Sequence, residues 1–162
     1  MTMTDAPDST PETQQRVQDG LAAAEALCAK RKVQFTPARR CALEALLSQT
    51  QALGAYEVLD RMREAGVGAQ PPAAYRALDF LVAQGLAHRI ERLNAYVACS
   101  HSSCDHFPAF FICSSCDTVS ETPSRPSVDT LNKAAEEAGF EIDHVLVEAR
   151  GICGSCKEAA DA

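Results

Sequence analysis

A two-part α+β fold is predicted by three features of this 162-residue chain. Four segments with helical periodicity are followed by two short strand-like segments, which is typical of a winged helix-turn-helix domain. Two Cys-x-x-Cys pairs further along flank a strand–helix–strand pattern. Charge also divides there, since residues 20–96 are net +3 and residues 97–162 are net −7. We therefore predict a disordered lead-in over residues 1–19, a winged-helix domain over 20–98, a hinge over 99–106 and an α/β domain over 107–157.

The composition indicates the compartment and limits the class of protein. No apolar run approaches the roughly 20 residues of a membrane span, and residues 1–12 lack a basic and then apolar leader. We therefore expect a cytoplasmic protein that does not enter a membrane. In that reducing compartment, eight cysteines are expected to be metal ligands or buried thiols rather than disulfides.

Helical periodicity and capping residues define the four helices. The periodic segments are residues 13–31, a segment that starts at Pro37, residues 55–65 and residues 73–84. In the third helix we expect Tyr56, Leu59 and Met62 to face inward. In the fourth, the predicted buried face carries Tyr75, Leu78, Leu81 and Val82. Phe80 falls nearer the opposite side, and the periodicity gives no role for it.

The fourth helix is the predicted recognition helix. Two strands, residues 86–91 and 95–99, would form the wing behind it. In this interpretation the helix enters the major groove of DNA, with Arg76 near the bases and Tyr75 at the phosphates. Lys32 and Arg39 are the other predicted contacts. A plain helical bundle with a salt-bridged Arg76 would show the same pattern, so the pattern alone leaves both open.

The two Cys-x-x-Cys pairs predict a metal site. Cys113, Cys116, Cys153 and Cys156 would complete a tetrahedral four-thiolate zinc site, because each short turn can present two thiolates to one ion. Between the pairs we predict a strand over 118–121, a helix over 127–138 and a strand over 140–149. The alternative is a redox-active Cys-x-x-Cys, which normally occurs as a single pair within a βαβ unit.

The remaining donors predict a second site of a different kind. His88, Cys99, His106 and Glu121 lie on separate strands or loops, and would converge only in one relative orientation of the parts of the chain. Two imidazoles, one thiolate and one carboxylate suit Zn²⁺ and disfavour Mn²⁺ or Fe²⁺. Alternatively, His88 is a core histidine and Glu121 a solvated acid. His101, Cys104 and His144 are candidates for a further metal site.

Several segments together resemble the ferric uptake regulator family. They are R-K-V-Q-F-T-P-A-R-R, P-P-A-A-Y-R-A-L-D-F-L, G-L-A-H-R-I-E-R-L-N-A-Y-V-A-C, F-F-I-C-S-S-C and G-I-C-G-S-C, and they span about residues 31–156. Among the members, the chain is most similar to those that respond to zinc. The resemblance implies a homodimer that joins through its C-terminal α/β domain and, when zinc is bound, represses zinc-import genes.

The resemblance also implies roles for individual residues. The four paired cysteines correspond to structural zinc ligands, and His88, Cys99, His106 and Glu121 to regulatory ones, so at least two Zn²⁺ per protomer are expected. Asp60 and Arg63 correspond to a pair that links neighbouring dimers on one operator, although an i,i+3 salt bridge within the helix is the alternative. Ala73 replaces the threonine usual after the prolines, and we expect an N-cap hydroxyl to be missing there.

Three other classes of protein remain as alternatives. One is a regulator of the same fold that senses iron or peroxide, and the second is a zinc-ribbon adaptor that binds only protein. The third is an enzyme, which we do not expect, because the chain lacks His-Glu-x-x-His and the paired deaminase motifs. In addition, four protein donors at each zinc would leave no open position for a substrate.

Overall fold

A computed structural model of the chain describes residues 10–68, 70–100, 108–123, 125–143 and 145–161, without the side chains of 125–127 and 161. The chain divides into two compact units, one ending at residue 102 and the other beginning at 103. Both combine helices with a β-sheet, which confirms the predicted α+β class. Among the described residues, no helix combines the length and apolar character needed to cross a membrane.

In its described residues, the first unit has four α-helices followed by a two-stranded wing. Its elements are α1 (Pro11–Lys30), α2 (Pro37–Leu47), α3 (Ala55–Glu64), α4 (Pro71–Ala83), β1 (Ala87–Ile90) and β2 (Ala95–Ala98). The strands pair antiparallel, with Ala87 opposite Ala98 and Ile90 opposite Ala95. Asn94 closes the connection in the left-handed conformation, φ 46°, which asparagine tolerates better than most residues. The wing predicted behind the fourth helix is therefore present.

The first helix begins earlier than predicted. Thr10 is its N-cap, with Oγ1 accepting a hydrogen bond from the Thr13 backbone N–H at 3.3 Å, and Pro11 occupies the first helical position. Both residues are strong initiation signals. Residues 11–19 are therefore helical, which corrects the lead-in predicted to extend to residue 19.

Two arginines fasten α1 to the ends of two other helices. Arg16 donates from Nε to the Leu47 carbonyl, the last of α2, at 2.9 Å. Arg31 donates from Nη1 to the carbonyl of Gln84, the C-cap residue of α4, also at 2.9 Å. The last carbonyls of a helix receive no hydrogen bond from within the helix. The two arginines therefore supply donors that water would otherwise have to supply. The first helix thus belongs to the winged unit.

The buried face of α4 is narrower than predicted. Leu78 and Leu81 are completely buried, but the expected partners Tyr75 and Val82 are 43% and 39% exposed. The small residues Ala74 and Ala77 take their place and allow α4 to pack closely against the other helices. Likewise in α3, Leu59 and Met62 are buried as predicted, whereas Tyr56 is 65% exposed. The inward placement predicted for Tyr56, Tyr75 and Val82 is therefore wrong.

The part of the second unit that the structure describes is a three-stranded sheet with two helices. Its elements are β3 (Pro108–Cys113), β4 (Val119–Pro123), α5 (Arg125–Glu137), β5 (Val147–Gly151) and α6 (Gly154–Asp161). The central strand β3 pairs antiparallel with β4 and parallel with β5. Phe110, Ile112 and Val128 are buried in this unit.

Three of these elements differ from the sequence prediction. The strand expected over residues 140–149 begins later and ends later, at Val147–Gly151. Strand β3 and helix α6 were not predicted. Phe140 follows Gly139, which has φ +67°, and its side chain is 67% exposed. The segment after Gly139 therefore begins as an exposed loop rather than as a strand.

Two glycines between α3 and α4 provide a matched test of packing. Both have positive φ, +70° at Gly66 and +81° at Gly68, but only at Gly68 would a Cβ meet a neighbour, the Cε of Met62 at 2.8 Å. Replacing either by alanine should cost roughly 1–2 kcal/mol because of the left-handed backbone. Gly68→Ala should cost more than Gly66→Ala, since the end of the fully buried Met62 side chain must shift. Urea unfolding measures both, and equal destabilisation would contradict this packing.

Candidate metal centres and nucleic-acid interface

The four paired cysteines meet at one end of the second unit. Cys113 ends β3 and Cys116 follows in a tight turn, while Cys153 immediately precedes α6 and Cys156 lies in its first turn. The parallel pairing sets Cys113 beside Gly151, and Ser114 N donates to the Gly151 carbonyl at 2.8 Å. Strand register therefore brings together two cysteine pairs that are about 40 residues apart in the sequence.

The geometry of the cluster fits a zinc ion. All four sulfur atoms lie within 4.8 Å of one another, and the Sγ atoms of Cys116 and Cys153 are 3.8 Å apart. Tetrahedral coordination with Zn–S bonds of about 2.3 Å requires sulfur atoms roughly 3.8 Å apart. Four soft thiolates in this arrangement select Zn²⁺ or an iron–sulfur centre and disfavour hard cations.

Hydrogen bonds prepare part of the cluster to bind a cation. The Cys153 backbone N–H donates to the Cys113 sulfur at 3.3 Å, and with the backbone N–H groups of Ser115 and Cys116 it lowers the pKa of Cys113 to about 6. Hydrogen bonding by Thr118 lowers the pKa of Cys116. These two thiols therefore ionise most readily. No sequence motif indicated Ser115 or Thr118, because their role depends on the turn geometry.

The fourth thiol behaves in the opposite way. Ser115 lowers the pKa of Cys156, but the neighbouring sulfurs of Cys153 and Cys116 raise it more, and its pKa reaches about 12. Like charges held this close disfavour each other. The cluster can therefore hold four thiolates at neutral pH only when a cation compensates their charge.

The second predicted metal site is described only in part. His88 lies on β1, opposite Val97, and its Nε2 atom is buried. Cys99 extends the hairpin by one hydrogen bond, from its N–H to the Leu86 carbonyl at 2.9 Å, and its Sγ lies within 4.8 Å of a His88 ring nitrogen. Cys99 is thus held by the wing rather than by the predicted hinge.

The other predicted donors are distributed as follows. Glu121 is half-buried in the middle of β4, opposite Phe110 of β3. His106 and the three candidates for a further site, His101, Cys104 and His144, lie outside the described residues. An imidazole and a thiolate within reach of one ion suit Zn²⁺, and this pair on the wing is the part of the predicted sensor that lies within a single unit.

The exposed surface of α4 carries the predicted DNA contacts. Arg76 is exposed and Tyr75 is 43% exposed, with both in the first half of the helix. Lys32 is also exposed, in the turn after α1, with a left-handed backbone at φ 55°. Tyr75, Arg76 and Lys32, three of the four predicted DNA contacts, are therefore accessible from solvent.

Arg39 is held differently from the other predicted contacts. It is half-buried, its guanidinium lies 3.6 Å from the centroid of the Phe80 ring, and its Nη1 donates to the Gln34 carbonyl. Phe80 packs against the helical core. The ring for which the periodicity gave no role thus has a cationic partner on α2.

Two further expectations concern the helix surfaces. Asp60 and Arg63 form an exposed i,i+3 salt bridge within α3, at 2.9 Å. Ala73 is the third residue of α4, whose N-cap is Gln70, so the expectation that Ala73 removes an N-cap hydroxyl is wrong. Tyr56, exposed on α3, was missed as a surface candidate, although the spacing of the buried residues 55, 58, 59 and 62 leaves it outside their stripe.

A winged helix-turn-helix unit with a thiolate metal cluster defines the class of metal-dependent transcriptional regulators. The model of the ferric uptake regulator family matches residues 30–150, and the chain belongs to this family. It is 42% identical over 142 residues to the zinc uptake regulation protein of Escherichia coli K12, a match that covers 87% of this chain and 83% of that protein.

Solved structures show the same similarity. A zinc uptake regulator complexed with zinc and DNA matches with a TM-score of 0.86 and 40% identity, over 90% of this chain and 98% of that one. The holo form of the protein XcZur matches with a TM-score of 0.79 and 37% identity, over 86% and 98% of the two chains. Its apo form matches with a TM-score of only 0.51.

Removing one sulfur tests the cluster. Cys156→Ser should abolish retention of the most tightly held zinc after dialysis against a chelator, because three thiolates leave the coordination incomplete. Cys41→Ser is the matched control, since Cys41 is half-buried on α2 and is not among the four clustered sulfurs. Elemental analysis of zinc per protomer is the measurement. Equal retention by both variants would contradict the assignment.

The order of thiol reactivity provides a second test. In metal-free protein, alkylation of Cys113 should be fast and half-maximal near pH 6, because its pKa is lowered to about 6 and the thiolate is the nucleophile. Cys156 should react slowly up to about pH 10, since its pKa is about 12. Mass spectrometry of partially alkylated protein measures the order. Faster labelling of Cys156 at pH 7 would disprove the proposed hydrogen bonding.

Proposed function

We propose that this protein is a zinc-responsive transcriptional repressor that binds operator DNA as a zinc-loaded homodimer and shuts off zinc-uptake genes. The observation that carries the proposal is the position of the His88–Cys99 pair on the wing. Only three residues separate α4 from β1, and α4 carries the proposed DNA contacts. A metal ion bound on the wing can therefore influence the recognition helix through a short connection.

Two zinc sites with different tasks are proposed. Cys113, Cys116, Cys153 and Cys156 hold a structural zinc that closes the end of the second unit. His88, Cys99, His106 and Glu121 are proposed as regulatory ligands, which would join the wing to the second unit when zinc binds. Their thiolate and imidazoles favour Zn²⁺ over the harder Mn²⁺ and Fe²⁺. His101, Cys104 and His144 remain candidates for a further site.

The proposed DNA contacts are the exposed polar groups of the first unit. Arg76 would read base edges from α4 in the major groove, with Tyr75 and Lys32 at the phosphates. Residues 20–96 carry net charge +3, which favours approach to DNA, whereas residues 97–162, with net charge −7, are repelled by it. The protein acts in the cytoplasm, and its family makes it a regulator rather than an enzyme. Closed coordination by four protein ligands would leave neither zinc ion an open position for a substrate.

Dimerisation is proposed through the second unit. Its small sheet leaves large apolar side chains at the surface, among them Phe111 at 53% and Ile152 at 48% exposure. Covering such groups favours association. In a dimer, two α4 helices about 34 Å apart would match half-sites one DNA turn apart.

Binding of two dimers to one operator is a further part of the proposal. The Asp60–Arg63 pair on α3 is exposed and lies within a single helix. Such surface pairs contribute only about 0.3–0.5 kcal/mol. Both side chains can therefore exchange partners at low cost and pair across two neighbouring dimers.

Zinc dependence of operator binding tests the function. DNA from the protein's own promoter region should bind about 5- to 150-fold more tightly when the regulatory site fills, because zinc and DNA would stabilise the same arrangement. Cys99→Ser should abolish this response while the structural zinc is retained, with Cys41→Ser as the control. Fluorescence anisotropy across buffered free zinc measures it.

Three outcomes would contradict the proposal. Operator affinity that ignores zinc and follows iron or oxidation would favour a sensor of iron or peroxide with the same fold. No DNA binding in any metal state would favour a protein-binding adaptor. A full zinc response in Cys99→Ser would show that the regulatory ligands are misassigned.

A further inference from the structure

The contact between Arg39 and Phe80 joins α2 to the proposed recognition helix. Arg39 lies in the first turn of α2, and its guanidinium carbon is 3.6 Å from the centroid of the Phe80 ring. Phe80 lies one turn after Arg76 on α4, so the two residues occupy the same side of that helix. A cation this close to an aromatic face is attracted by the ring quadrupole. The contact therefore lies beside the surface proposed to face DNA.

The Arg39 side chain is held by the Phe80 ring and by a main-chain carbonyl, and its backbone is held by the N-cap of α2. Its Nη1 donates to the Gln34 carbonyl, in the segment just before α2. Its backbone N–H donates to Oγ1 of Thr36, the N-cap, at 3.4 Å. The planar guanidinium can use its face for the ring and its edge for the carbonyl at the same time, which the ammonium of lysine cannot do. This arrangement requires arginine and not only positive charge.

The contact constrains how α4 can turn about its own axis. With side chains, a helix is about 10–12 Å in diameter, so a roll of about 20° moves a side-chain end by about 2 Å. A shift of that size would carry the ring towards the limit of about 6 Å for a favourable cation–π contact. The same roll would move Arg76 by a similar distance, which is enough to misplace a hydrogen bond to a base edge.

We propose that Arg39 is a positioning residue for the recognition helix, acting through the Phe80 ring, and that it does not neutralise a DNA phosphate. The proposal rests on the DNA-binding function proposed above. It replaces the prediction from sequence that Arg39 contacts DNA directly. The distinction can be measured because a phosphate contact depends on charge, whereas a positioning contact depends on the planar group and on the ring.

The experiment compares Arg39→Lys, Arg39→Ala, Phe80→Leu and the double variant Arg39→Lys/Phe80→Leu in the full-length zinc-loaded protein. Operator affinity is measured at several salt concentrations, together with zinc content and thermal stability. Arg40→Lys is the matched control, because Arg40 neighbours Arg39 on α2 but pairs with Glu25 of α1. Arg76→Ala shows how operator affinity and its salt dependence change when a proposed direct DNA contact is removed.

We expect Arg39→Lys and Phe80→Leu each to weaken operator binding by about 3- to 30-fold, the range of a cation–π contact. The double variant should bind the operator no more weakly than the more affected of the two single variants, because Arg39→Lys and Phe80→Leu each remove the same contact. The salt dependence of Arg39→Ala should equal that of the unsubstituted protein. Arg40→Lys should bind normally.

The opposite results overturn the inference. If Arg39→Lys binds normally and the salt dependence of Arg39→Ala is shallower by about 0.9 in slope, the value for one neutralised phosphate, then Arg39 binds a phosphate directly. If Arg39→Lys and Phe80→Leu both bind normally, the pairing of these two side chains has no part in recognition. Failure of the unsubstituted protein to bind its operator would instead contradict the proposed function.

Discussion

Mutual repulsion among four sulfur atoms is the constraint on which the second unit depends. The turn and strand register hold the sulfur atoms of Cys113, Cys116, Cys153 and Cys156 within 4.8 Å of one another. The pKa of Cys113 is about 6, whereas that of Cys156 is about 12. Without a cation the set cannot be fully ionised at neutral pH. Among the described residues of this unit few large side chains are buried. A metal ion that links the turn after β3 to the start of α6 would therefore add stability that the small core does not supply.

The proposed regulatory chemistry depends on the wing for a different reason. His88 and Cys99 are separated by ten residues, but the β1–β2 hairpin and its added hydrogen bond to Leu86 place their donor atoms together. Half of the proposed site is therefore preformed within the first unit. When zinc binds, most of the conformational entropy would be lost by the ligands proposed from the second unit, His106 and Glu121. Zinc and DNA binding would be thermodynamically linked because both require this ordered arrangement.

Local signals in the sequence predicted most of the fold, and non-local contacts account for what was missed. Thr36-Pro37 and the double proline are short-range signals, and the helices they start are present. Strand β3 carries adjacent aromatic residues with no alternation, so its pairing becomes evident only beside β4 and β5. The Cys-x-x-Cys spacing predicted a cluster that strand register completes. In contrast, the contact between Arg39 and Phe80 joins residues 41 positions apart, and no spacing rule indicates it.

The docking of α1 bears on how this protein can change during evolution. Arg16 binds the last carbonyl of α2, and Arg31 binds both the carbonyl and the side-chain Oε1 of Gln84, the C-cap residue of α4. The two carbonyls are groups that every amino acid carries. Substitutions along the outer face of α4 leave those acceptors in place. A lineage can therefore exchange the side chains that read an operator while keeping the helical scaffold intact, so that new DNA specificity need not be accompanied by compensating changes in α1.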